Sequence, residues 1–205
     1  MSRVIPGAPS GAMARDPIRW RAFVLATFFL SLPSLAAPPK EVIATCETCH
    51  GKGGNSEIAL TPSIAGQPAT FLENQLVFFR EGLRASPVMQ GVAKGMKDKD
   101  ITELAKHFEA SPVRVVSAGA ANAAMETRAK QLVGTMHCGQ CHLPTFRGRA
   151  QMPRLAAQRE DYLVSTMAAY RDGKRTGADT TMSEVLYGLS DADIKALGHF
   201  FAHRK

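Results

Sequence analysis

The sequence has no apolar run of the eighteen or so residues that a bilayer-spanning helix needs, which excludes a multi-span membrane protein. Nor does it hold a block of basic residues interleaved with aromatics, so its formal charge of +7 does not point to nucleic acid. Aromatic residues make up only 7% of the 205 positions, yet 45% are hydrophobic and 21% charged, too apolar a mixture for a disordered polymer. Glycine and proline, at 17 and 12 residues, are far too few for a collagen-like chain. No stretch alternates apolar and polar residues with period two, so sheet is expected to be minor or absent. Cysteine is scarce as well. There are four, and their placement is the most informative feature of the chain.

Arg15, Arg19 and Arg21 precede an apolar run from Ala22 to Leu32, and small residues follow as far as Ala37. A basic head, a short apolar middle and small residues at the end describe a secretory signal peptide. Residues 1–36 are therefore expected to be removed, with Ser34 and Ala36 at the small-residue positions of the cleavage site. As an uncleaved anchor the run is too short to span comfortably. Met13, directly before the basic head, is a candidate initiator. Cleavage takes away four basic residues and one acidic, leaving a formal +4, so part of the positive charge belongs to targeting.

The cysteines fall as CETCH, Cys46 to His50, and CGQCH, Cys138 to His142, 92 residues apart. The flanking sequence repeats with them. PSIAGQPATFLENQLVFFREGLR from Pro62 aligns with PRLAAQREDYLVSTMAAYRDGKR from Pro153 at an offset of 91, and MQGVAKGMKDKDITELAKHF from Met89 aligns with MSEVLYGLSDADIKALGHFF from Met182 at 93. Offsets this constant mean a duplicated domain with small loop changes. The units are expected at 37–110 and 123–205, joined by a linker at 111–122 that Pro112 and a run of small residues set off.

Each unit reads as helical. Phe71, Leu72, Leu76, Phe79 and Leu83 recur at three- and four-residue intervals after Pro68, as do Leu163, Met167 and Tyr170 in the second unit, with Gly82 and Gly173 where such helices should stop. Asp98 and Asp191 are expected to cap final helices that carry Ile101, Leu104 and Phe108, or Ile194, Leu197 and Phe201. The fold class is all-α. Units of about 70 to 80 residues are small for a self-sufficient core, so something should staple each half.

C-x-x-C-H presents two thiols on one face of a helix for thioether bonds to a haem, and the histidine that follows reaches the iron. A four-cysteine zinc site would bring its pairs within about 15 to 20 residues of each other, whereas these pairs lie in separate repeats. A disulfide across two intervening residues closes a tiny loop and stabilises little. Neither alternative explains why His50 and His142 follow immediately. Two covalently bound haem c groups are expected, on Cys46 and Cys49 and on Cys138 and Cys141, with His50 and His142 as iron ligands. Met89 and Met182 align with each other in exposed polar loops and are expected as the opposite ligands, while Met96 aligns with Leu189 and reads as core. His107, His199 and His203 lie on the final helices as surface or packing residues, and His137 should face away from the iron.

The chain resembles the dihaem cytochrome c4 family over nearly all of the exported part: CETCHG and CGQCH, PSIAGQ before the middle helix, FREGLR at its end, the single methionine, then KDKDI and LSDADI at the last helix starts. The resemblance implies two tandem class I cytochrome c domains of a bacterial periplasmic electron carrier, facing one another so that electrons can pass between haems. It also implies that Gln67, Arg80, Gln158 and Arg171 stand where they could donate to haem propionates. This chain departs from the pattern at Leu143 and Pro144, where glycine is usual, at AAQ in place of AGQ, and in a short lead before Cys46 that leaves little N-terminal helix to support the first domain.

Three functions compete. The leading one is a shuttle between a quinol-oxidising complex or dehydrogenase and a terminal oxidase or other acceptor; peripheral association with the membrane is compatible with it. The second is a dedicated cytochrome subunit of a periplasmic dehydrogenase. The third is a dihaem enzyme, such as a peroxidase or thiosulfate dehydrogenase, which two methionine ligands would disfavour by closing both irons. Residues 37–110 carry 8 basic and 9 acidic residues and 111–205 carry 13 and 8, so the second unit is expected to dock an acidic partner through Arg147 and Arg149.

Overall fold

Helix boundaries follow local signals, with small displacements from those expected. The computed structural model describes Met1 and residues 40–116, 119–175 and 180–205; the expected signal peptide and its cleavage point lie outside the described residues, as do two residues of the linker. In the first repeat α1 (Lys40–His50) carries CETCH, and α2 (Ala69–Arg80), α3 (Pro87–Ala93) and α4 (Asp98–Glu109) follow. In the second, α5 (Ala123–Thr135) precedes α6 (Cys138–His142), then α7 (Glu160–Arg171), α8 (Thr181–Leu186) and α9 (Asp191–Ala202). Among the described residues the only β feature is an isolated bridge between Arg149 and Met152. No described helix is long and apolar enough to cross a membrane.

Asp98 and Asp191 are first helical residues rather than caps: Lys97 and Ser190 hold the cap positions, and Ser190 forms a reciprocal box with Asp193. The aspartates still favour the positive helix end. Leu83 lies past the end of α2 and is 54% exposed, so it is not part of the apolar stripe. Gly82 and Gly173 turn the chain with positive φ, as expected of helix stops.

The repeats are built on one plan. Gly54 and Phe146 are equivalent, and the carbonyl of each accepts two backbone N–H groups, from Ile64 and Ala65 or from Leu155 and Ala156. A side chain at Gly54 would collide with Ala65, Ile64 and Phe108. Phe146 takes the same left-handed backbone (φ 55) and turns its ring inward against Phe200 and Phe201. The second core is correspondingly larger, with Leu132, Leu163, Met167, Ile194 and Leu197 around these rings, and α5 packs along α9. In the first repeat Leu72, Leu104, Ala105 and Phe108 form the buried cluster, which Val42 and Ile43 of α1 touch.

The repeats meet through a reciprocal hydrogen-bond pattern. Gln67 donates to the Arg154 carbonyl and accepts from its N–H (3.0 and 2.9 Å), while Gln158 does the same with Ser63 (both 2.8 Å). Gln67 is equivalent to Gln158 and Ser63 to Arg154, so each repeat offers the other the same pair of groups, as in a two-fold interface. The linker is tied at both ends: Asn55 binds the Pro112 carbonyl and the Arg114 N–H, and the Asn122 N–H donates to His199 Nε2.

Candidate functional site

Each C-x-x-C-H lies on a helix that ends at the histidine, so its two cysteines are one turn apart and share a face. Cys46 and Cys138 are half-buried and Cys49 and Cys141 exposed, and none of the four is in a disulfide. His50 and His142 are buried, at 8% and 5% exposure. His50 Nδ1 donates to the Pro62 carbonyl at 2.8 Å and His142 Nδ1 to the Pro153 carbonyl at 2.9 Å. With the proton fixed on Nδ1, Nε2 presents its lone pair, and the carbonyl makes the ring a better donor to a metal. Burial lowers the proton affinity of both rings, outweighing the carbonyl's opposite effect, and keeps them neutral. A cysteine pair outside any disulfide beside a neutral, oriented imidazole fits a covalently attached haem, and the small buried cluster of the first repeat suits a large apolar group that completes it.

Met89 sits in the first turns of α3, where the Ser86 hydroxyl caps its N–H, and Met182 is the second residue of α8. Both are half-buried. The register that pairs them has independent support: Arg80 donates to the Met96 carbonyl and pairs with Asp98, while Arg171 donates to the Leu189 carbonyl and pairs with Asp191. Met96 and Leu189 are thus equivalent, and each packs against its own core cluster.

Those bonds also give the residues expected at the haem carboxylates partners within the protein. Arg80 and Arg171 are committed to tying the end of the middle helix to the start of the last one, with Glu81 and Asp172 as further partners. Gln67 and Gln158 spend their amides on the opposite repeat. Arg84 and Arg175, four positions further along the quoted FREGLR and YRDGKR segments, form no salt bridge among the described residues, and nothing in the sequence distinguishes them from Arg80 and Arg171.

His199 is buried, as a packing residue would be. Because Nε2 accepts from Asn122, Nδ1 carries the proton and donates to Glu160 (3.2 Å). His137 is exposed in a left-handed turn before α6.

The family model described as Cytochrome c matches residues 126–205. The chain is 31% identical over 187 residues to the thiosulfate dehydrogenase electron acceptor of Thiomonas intermedia, covering 86% of each chain. It is 30% identical over 173 residues to cytochrome c4 of Pseudomonas aeruginosa, covering 80% of this chain and 86% of that one. The crystal structure of reduced recombinant cytochrome c4 from Pseudomonas stutzeri superposes with a TM-score of 0.73 at 27% identity, over 83% of this chain and 100% of the other.

Proposed function

Because the chain belongs to the dihaem cytochrome c4 family, we propose that it is a periplasmic carrier that takes electrons one at a time from a quinol-oxidising complex or dehydrogenase and passes them to a terminal oxidase or another acceptor. It is an electron-transfer cytochrome of two tandem class I cytochrome c domains with two covalently bound haem c groups. When bound, each haem iron supplies a one-electron couple.

In this reading Cys46 and Cys49, and Cys138 and Cys141, hold the haems by thioethers. His50 and His142 ligate iron through Nε2, and Met89 and Met182 close the opposite faces. A thioether opposite an imidazole favours the ferrous state and raises the potential, and leaves no position open for substrate, which suits a carrier rather than an enzyme. The domains would run 37–110 and 123–205 with 111–122 between them, and export would remove residues 1–36. The observation that carries the reading is the pair of buried histidines whose Nδ1 atoms are fixed by equivalent proline carbonyls beside cysteine pairs that form no disulfide.

A second reading, service to one dehydrogenase, is favoured by the name of the Thiomonas relative, an electron acceptor of thiosulfate dehydrogenase. Docking would use the second domain, where Arg147 and Arg149 are exposed. Stopped-flow reduction by a thiosulfate dehydrogenase and by a quinol-oxidising complex, over a range of salt, tests both readings. Reduction by several donors supports the shuttle, reduction by the dehydrogenase alone supports the second reading, and failure with every donor would refute the carrier role.

A further inference from the structure

Where the repeats meet, two guanidinium groups converge, and no carboxylate among the described residues pairs with either. Arg84 follows Gly82 in the first repeat and Arg175 follows Gly173 in the second; their N–H groups bond to equivalent carbonyls, of Phe78 and Ala169. Each guanidinium stacks on an equivalent ring, Phe79 at 4.5 Å and Tyr170 at 4.8 Å. Both also approach one phenol: Arg84 donates to Tyr162 Oη at 3.3 Å, and the Arg175 charge acts on the same side chain. Tyr162 has no counterpart, because Phe71 holds its position in the first repeat. Among the described residues neither arginine forms a salt bridge, whereas Arg80, Arg159 and Arg171 all do. The group lines a cavity of about 240 Å³ to which Ser86, Thr166 and Lys174 also contribute.

Two oriented guanidiniums and a hydroxyl around one space form an anion receptor, and stacking holds the forks in place before anything binds. Burial would raise the Tyr162 pKa, but Arg175 and Arg84 more than reverse this and pull it down: the site stabilises negative charge on the one group within reach that can carry it. We propose that Arg84, Arg175 and Tyr162 form an interdomain anion site that binds a carboxylate or small oxyanion across the junction between the repeats. The anion has two sources of the same chemistry, a propionate carboxylate of the protein's own haems or a free oxyanion from solution. Either would bridge the repeats, so their relative placement would depend on the occupant. The site does not depend on which redox partners the protein serves.

The test uses the mature holoprotein, with haem carboxyl groups labelled in cells by ¹³C-aminolevulinate. Labelled-carboxyl infrared bands are compared in the native protein, the Arg84→Gln/Arg175→Gln double variant and Tyr162→Phe, and sulfate binding is measured by calorimetry on the same samples. Shifted carboxyl bands in the variants, with no sulfate binding to the native protein, assign the site to haem carboxylates. Sulfate binding that weakens at least about tenfold in the double variant assigns it to a free oxyanion. Unmoved bands together with no sulfate binding, or binding equal in all variants, would overturn the proposal. Should the double variant lose its far-ultraviolet helix signal, Arg84→Lys and Arg175→Lys, which keep charge but lose the paired donors, decide by the same two readouts.

Discussion

The two repeats build the same site on unequal foundations. In both, a proline carbonyl fixes the histidine that closes the C-x-x-C-H motif, and an arginine ties the middle helix to the last. Beneath these, the described residues of the second repeat bury fourteen hydrophobic side chains and those of the first eight, and the second has a helix, α5, along its C-terminal helix. The second repeat also accepts backbone strain that the first avoids: Leu143, Phe146 and Ala157 take positive φ where the first has Gly51, Gly54 and Gly66. At Phe146 the cost of about 1–2 kcal/mol for a left-handed residue is offset by burying an aromatic ring. Site geometry is thus set by short-range backbone bonds, while stability is set by how much each repeat can bury without help. The first should rely on its haem far more.

The largest expected difference follows from haem loss. Cys46→Ala/Cys49→Ala should leave a one-haem protein whose first repeat is cleaved rapidly by protease while the second stays folded; Cys138→Ala/Cys141→Ala should leave the haem-depleted second repeat partly helical. Intact mass, circular dichroism and limited proteolysis read this directly, and equal protection of both haem-free repeats would break the comparison.

Core truncation comes next. Leu104→Ala and Leu197→Ala each remove a fully buried side chain, at about 2–5 kcal/mol. In denaturant titrations followed at the haem, the first variant should release its domain well before the second does, because less burial remains to hold it.

A smaller effect sharpens the strain argument. Ala157→Gly should stabilise the second repeat by up to about 1 kcal/mol, since glycine adopts φ 54 without penalty. Gly54→Ala should destabilise the first, where a Cβ would meet the Ala65 nitrogen at 2.8 Å.

The smallest effect concerns pH. Both ring nitrogens of His203 face carbonyl oxygens, of His199 (2.8 Å) and Gly119 (2.9 Å), so both can donate only when the ring is protonated. The His199 carbonyl raises its pKa, against some loss from desolvation, with Gly119 and Glu160 assisting and Arg204 opposing. A folded value above the unfolded one means the contribution is complete below the ordinary histidine range and fades as pH rises through the folded value. Amide exchange near Gly119 should quicken on that rise, and His203→Ala should remove the pH dependence. The first repeat, with Ala110 at the equivalent position, should show none.

Much of this was legible in the sequence. The duplication, the attachment motifs and the all-helical class follow from spacing, and the offsets that align Met89 with Met182 recur in the arginine bonds to Met96 and Leu189. Other roles needed three dimensions. Gln67 and Gln158 look alike because they serve the same purpose, but that purpose is the other repeat, which periodicity within one repeat cannot show. Arg80 and Arg84 are both basic residues near a helix end, and only the position of Asp98 separates the tethered one from the one that reaches the interface. Leu143 and Ala157 read as departures from pattern, yet the backbone keeps its left-handed turns there, since the hydrogen bonds around them outweigh the side-chain penalty.

The central claim is that both haem sites are closed and serve electron transfer alone. It is tested most directly by mixing the reduced, mature protein with carbon monoxide at neutral pH while following the visible spectrum of each haem. The account predicts two low-spin haems that both resist the ligand and both keep a methionine-to-iron charge-transfer band when oxidised; rapid carbon monoxide binding to either haem of the native protein would contradict it.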